Sequence, residues 1–181
     1  MTDTDTASAG VTTKQVRLFH TFGFLHLPGA LADTGRASRF TFGRDGCTRL
    51  ARALLGGEVA CRDGGGRLDD CASQWERRAQ RPGSLVLTFR TESRGRPRGE
   101  LRFLPGTHRR STGWDGHLGE LADPVTGLGL TDREVPCCVV RMAPGDLVAY
   151  DPYTLHAAYD STEGERLSLL YEPTESEGGT R

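Results

Sequence analysis

Lysine is almost missing from this chain of 181 residues: Lys14 is the only one, so arginine supplies nearly all of its 23 basic groups. Against 24 acidic residues the formal charge is −1, which offers no support for a nucleic-acid or anionic-membrane partner. With 24 glycines alongside, the arginine bias reads as a genomic composition rather than an anion-binding adaptation. No apolar run approaches the length of a membrane span. The five cysteines (Cys47, Cys61, Cys71, Cys137, Cys138) are odd in number and form no CxxC pair. No basic-then-apolar leader opens the chain, so neither secretion nor a disulfide framework is expected, and the location expected is cytoplasmic. Histidine is scarce too, and between His26 and His108 there is none.

What remains suits one domain with one substantial core. Residues 1–11 are Thr, Asp, Ala, Ser and Gly with almost nothing to bury, and read as a disordered tail. The folded domain is expected over 12–173, with 174–181 a flexible end. Thr12 or Thr13 can cap a short helix that Gly23 ends, and Phe24–Leu27 follows as a strand. A second helix is expected over Cys47–Leu55, capped by Asp45 and closed by Gly56-Gly57. Arg39–Phe42 alternates like a strand, and Glu58–Cys61 reads as a short one feeding the glycines Gly64–Gly66. Ser84–Thr91 and Glu100–Leu104 follow as strands, and the stretches 68–82 and 109–134 as long loops. The last quarter holds three apolar runs, Val135–Met142, Leu147–Tyr150 and Leu167–Tyr171, cut by Pro144-Gly145-Asp146 and a polar loop. Short runs bounded by Gly and Pro, without alternating long helices, predict a mainly β fold: a jelly-roll barrel with one or two helices in front.

Between the last two runs sits His156, and ten residues on Arg166 opens the final one. Four passages carry a family likeness: Phe22–Gly29 (FGFLHLPG), Gly99–His108 (GELRFLPGTH), Pro144-Gly145-Asp146 with Leu155-His156, and Arg166-Leu167-Ser168. In this order the chain resembles the phytanoyl-CoA dioxygenase family of non-haem iron, 2-oxoglutarate-dependent oxygenases. The resemblance implies a double-stranded β-helix, cupin-like, with Fe(II) at its mouth on two His and one carboxylate. It implies His156 as one metal ligand and catalytic residue. Arg166 and Ser168 would grip the distal carboxylate of 2-oxoglutarate, since a guanidinium fork matches a carboxylate. The family's other histidine belongs to a His-x-Asp motif ahead of Ser84–Thr91, where this chain has none. Cys61-Arg62-Asp63 is the nearest surrogate, with Asp63 as carboxylate ligand and catalytic group and Cys61 as a weaker metal candidate. Asp69 and Asp70 compete with Asp63.

The remaining candidates have plainer readings. A buried strand cysteine is the ordinary state of Cys61, and a turn aspartate before glycines that of Asp63. His108 is expected to hold the turn after Pro105-Gly106, Asp146 to contact backbone amides, and His20 and His26 to pack or face solvent. Trp114 and His117 sit in a loop able to cover the barrel mouth, and Tyr150, Tyr153 or Tyr159 can line the pocket. Arg94–Arg98 reads as a solvated turn. The function expected is oxidation of a small organic substrate with Fe(II) and 2-oxoglutarate. The alternatives are a non-redox cyclase, isomerase or lyase in the same pocket, and a catalytically silent binding protein.

Overall fold

A computed structural model describes residues 10–30, 44–67, 75, 83–90, 100–109, 134–159 and 166–174, with the backbone alone for 44, 63–67, 159, 166 and 167. Helix α1 (Thr13–Phe22) leads into β1 (Phe24–Leu27), and α2 (Arg44–Leu55) into β2 (Val59–Arg67). Six strands follow: β3 (Leu85–Arg90), β4 (Glu100–Phe103), β5 (Cys138–Arg141), β6 (Leu147–Tyr150), β7 (His156–Tyr159) and β8 (Arg166–Pro173). One antiparallel sheet has the order β1-β6-β3-β8-β2 and a smaller one the order β5-β4-β7. From β3 onward the chain crosses between the sheets four times, giving the two-layer, mainly β jelly roll that the turn spacing predicts.

Local chemistry explains the helices. Thr12 accepts from the Gln15 amide at 3.2 Å while the Gln15 side chain accepts from the Thr12 amide at 2.8 Å, a reciprocal cap. Gly23 ends α1 at φ +82°, its amide donating to the Phe19 carbonyl. Asp45 lies in the first turn of α2, one residue inside the start, rather than at its cap.

The large sheet is buried on both faces, and β3 shows why its sequence reads LVLTFR. Leu85, Leu87 and Phe89 pack with Leu147, Ala149 and Tyr171 against Leu50, Ala51 and Leu54 of α2. Val86 points the other way, into a cluster with Leu101, Phe103, Val140, Met142, Val148 and Tyr150 between the sheets. Trp75, Val135, Leu155 and Ala157 cover the outer face of the small sheet.

Several expectations change. Val11, assigned to the tail by composition, is buried in the helix-side cluster, and the Thr174 amide donates to the Glu58 carbonyl at 3.0 Å. Strand β2 runs on through Asp63–Gly66 with register irregularities, because bulges and glycine fit together where strong β-formers are missing. The strand β7 was not expected at all, since His-Ala-Ala-Tyr carries no β-forming run. The expected strand at 39–42, Asp69, Asp70, Cys71, Arg94–Arg98, Trp114 and His117 lie outside the described residues.

Candidate functional site

Three of the passages singled out by sequence converge on one end of the sandwich. The Gly23 carbonyl accepts from the Asp151 amide at 2.9 Å and from the Thr154 hydroxyl at 3.0 Å. The Phe22 carbonyl accepts from the Gly106 amide, and the His20 carbonyl from His108 Nε2 and from the Arg109 guanidinium. Thr107 Oγ1 accepts from the Leu155 amide at 2.9 Å and donates to the Leu104 carbonyl at 2.7 Å. The helix end, the Pro-Gly-Thr-His turn and the loop before β7 are therefore one hydrogen-bonded unit, and it delivers His156.

His156 is fully buried, between the sheets. Its ring lies 4.8 Å from the Tyr150 ring and 6.2 Å from that of Phe103, which itself stacks on Phe24 at 4.5 Å. Its Nδ1 donates to the Thr154 carbonyl at 2.7 Å. A carbonyl can only accept, so the proton is on Nδ1 and a neutral ring carries its lone pair on Nε2. Backbone pinning of one imidazole nitrogen is how a metal-ligating histidine is commonly oriented.

The sheet registers place the other candidates. Tyr150 pairs with Val86, Val86 with Leu170, and Leu170 with Asp63, so the Asp63 backbone stands in the row that begins beside His156. Cys61 pairs with Tyr171 and packs in the helix-side cluster, on the face of the large sheet turned away from His156. The structure does not bring Cys61 to His156, and the register of β2 against β8 shifts between Cys61 and Asp63. Burial pushes the neighbouring Cys47 thiol up to about 11 and the Tyr171 phenol up to about 12.

Two residues further along, Ser168 Oγ and Thr88 Oγ1 are hydrogen-bonded at 2.8 Å, both buried. Beyond them Arg90 pairs with Arg166. Arg90 is 3% exposed and its Nη1 donates to the Met142 carbonyl at 2.6 Å. Along β3 the row of Val86, beside the Tyr150–His156 contact, and the Arg90–Arg166 backbone pair are thus separated by the hydroxyl pair. Sequence reading missed Arg90 and Thr88, although a lone arginine in the apolar run LVLTFR was a visible signal.

Asp146, His26 and His108 take part in contacts that hold the frame. Asp146 accepts from the amides of Gly29 (2.8 Å) and Ala143 (2.9 Å) and from His26 Nε2 (3.0 Å). Burial pushes its carboxyl up, but these three donors outweigh it and hold it below the ordinary range. His26, expected to pack or face solvent, is thus the partner of Asp146. Burial lowers His108, whose ring braces the end of α1.

The donor set can be tested against an iron ion. His156 fits, being buried and fixed in tautomer, but among the described residues no group of three His, Cys, Asp or Glu converges on a metal position. A facial triad is therefore not completed by them. Among the described residues no helix is long and apolar enough to cross a membrane.

No family model and no curated protein matches the sequence. Solved structures do match. The likeness to EvdMO1 has a TM-score of 0.58 at 17% identity and covers 89% of this chain but 50% of that one, so this chain spans half its length. SnoK, a non-heme α-ketoglutarate (2-oxoglutarate) dependent carbocyclase from nogalamycin biosynthesis, aligns with a TM-score of 0.57 at 14% identity, over 92% of this chain and 86% of SnoK. EctD from S. alaskensis, solved with bound Fe, aligns at 0.51 and 18% identity, over 91% and 77%. The chain shares its jelly-roll fold with these structures.

Proposed function

We propose that the chain is a non-haem iron, 2-oxoglutarate-dependent enzyme, similar to the phytanoyl-CoA dioxygenases, that oxidises a small organic molecule. The observation that carries this reading is His156: buried between the sheets and held in one tautomer by the Thr154 carbonyl. In this reading Nε2 of His156 is a metal donor, Asp63 the carboxylate ligand, and Ser168 with Arg166 the anchor of the cosubstrate's distal carboxylate. The bound ferrous ion supplies the dioxygen chemistry. The protein's share is to fix the imidazole, orient the dicarboxylate along the interior, and keep water out with Phe103, Tyr150 and Phe24. Titrating Fe(II) and 2-oxoglutarate and following succinate release is the test. Iron binding with succinate formation, both abolished in His156→Ala, is the expected result. Neither iron uptake nor 2-oxoglutarate binding by the purified protein would sink the proposal.

A second reading is favoured by one observation: among the described residues His156 is the one imidazole at the site. The same pocket can then serve acid–base chemistry, with His156 Nε2 accepting a proton from substrate beside Tyr150. Turnover that survives a chelator and the exclusion of dioxygen identifies this case.

A further inference from the structure

Thr154 and Leu155 share one peptide group, and both of its polar ends are engaged. Its carbonyl accepts from His156 Nδ1 at 2.7 Å, and its N–H donates to Thr107 Oγ1 at 2.9 Å. Thr107 lies 48 residues from Leu155 in the chain. A hydroxyl has one proton and two lone pairs, and Thr107 gives its proton to the Leu104 carbonyl at 2.7 Å, so a lone pair faces the Leu155 amide. The three bonds run in one direction, from imidazole through peptide and hydroxyl to a carbonyl. Hydrogen bonds in such a chain polarise one another, and a low dielectric strengthens each. Thr107, Thr154, Leu155 and His156 are all buried. The next peptide is tied to the same turn, since the Leu155 carbonyl accepts from the Leu104 amide at 2.9 Å.

We infer that Thr107 is a positioning residue for His156: acting through the Thr154–Leu155 peptide, its hydroxyl keeps the imidazole proton on Nδ1 and the lone pair on Nε2. The inference rests on the reading of His156 Nε2 as the working donor of the site, to a metal or to a substrate proton. Without the hydroxyl the Leu155 amide loses its acceptor, and the peptide is free to tilt. The Thr154 carbonyl then becomes a weaker and less well aimed acceptor for Nδ1–H. The ring proton can move to Nε2, where it blocks the lone pair. A Thr107 that only satisfied the Leu155 amide would matter for stability and leave the ring proton where it is.

Ring nitrogen shifts of the full chain labelled with 15N-histidine, free of metal and at a pH where the ring is neutral, separate the two roles. The His156 signals are assigned with His156→Gln. Wild type is expected to show a protonated Nδ1 and an unprotonated Nε2. In Thr107→Val the tautomer ratio is expected to shift at least about fivefold toward Nε2, the worth of one neutral hydrogen bond. Thr107→Ser, which keeps the hydroxyl, is expected to restore the wild-type pattern. Unchanged shifts in folded Thr107→Val overturn the inference, and so does a wild-type ring protonated at Nε2. Should Thr107→Val fail to fold, Thr107→Ala and Thr107→Ser decide, because both lack the methyl and differ only in the hydroxyl; identical patterns in the two overturn the inference. Mn(II) titration of the wild type tests the functional reading separately. No binding by a chain that shows the expected tautomer response sinks the metal reading and leaves the role of Thr107 standing.

Discussion

Gly23 carries two demands that no other residue meets. Its φ of +82° is strained for any side chain, and an added Cβ would collide with Thr154 Oγ1 and the His108 ring. Gly23→Ala is expected to cost about 2–4 kcal/mol in urea unfolding, from backbone strain and overpacking together. Asp146 is legible in sequence as a turn aspartate, but its third partner, His26, is 120 residues away and was not. Its carboxyl is held below the ordinary value, so the stability it adds is present above the unfolded pKa of about 3.9 and is lost as pH falls through the lower folded value. Asp146→Asn is therefore expected to be less stable than wild type by about 1.5–3 kcal/mol at pH 7, the worth of hydrogen bonds to a charged group. The gap should narrow below about pH 4 and close only as pH falls through the lower folded value, where the wild-type carboxyl is protonated as well. Denaturant midpoints across that pH range check both claims.

The elements around the site behave as a frame for one side chain. Thr107 belongs to the Pro-Gly-Thr-His turn, yet its hydroxyl holds the backbone of Leu155, immediately before His156. Thr107→Val keeps the shape and removes both hydrogen bonds, leaving the buried Leu155 amide unsatisfied. A stability loss of about 1–3 kcal/mol is expected. The proposed metal affinity should fall with it, measured by Mn(II) titration, because the imidazole is then less firmly placed. The sequence marked this turn as a unit because glycine, proline and threonine have strong local preferences. It did not mark β7, whose His-Ala-Ala-Tyr forms a strand only because β4 offers it a ladder from Phe103 to Glu100. It did not mark the continuation of β2 through three glycines either, for which the long edge of β8 is the template.

At the scale of the molecule, the large sheet separates two cores with different consequences for the site. Leu50 packs on the helix side and Phe103 between the sheets, against Tyr150 and His156. Leu50→Ala is expected to cost about 2–5 kcal/mol while leaving 2-oxoglutarate affinity unchanged. Phe103→Ala should cost a similar amount and also weaken ligand binding, because it removes the wall that seats the imidazole. Parallel urea and calorimetric titrations distinguish the two. By itself the sequence determined the caps and ends of the first helix, the apolar runs that became β1, β3, β4, β6 and β8, and the tight turns, since each depends on neighbours within a few residues. It also supplied His156 and Arg166 as a pair worth following. Only the tertiary structure decided that His156 is buried between the sheets, that Cys61 faces the helices, and that the hydroxyls of Thr88 and Ser168 meet. Those facts depend on strand register, and register is set by which faces are buried and by bulges between partners distant in the chain.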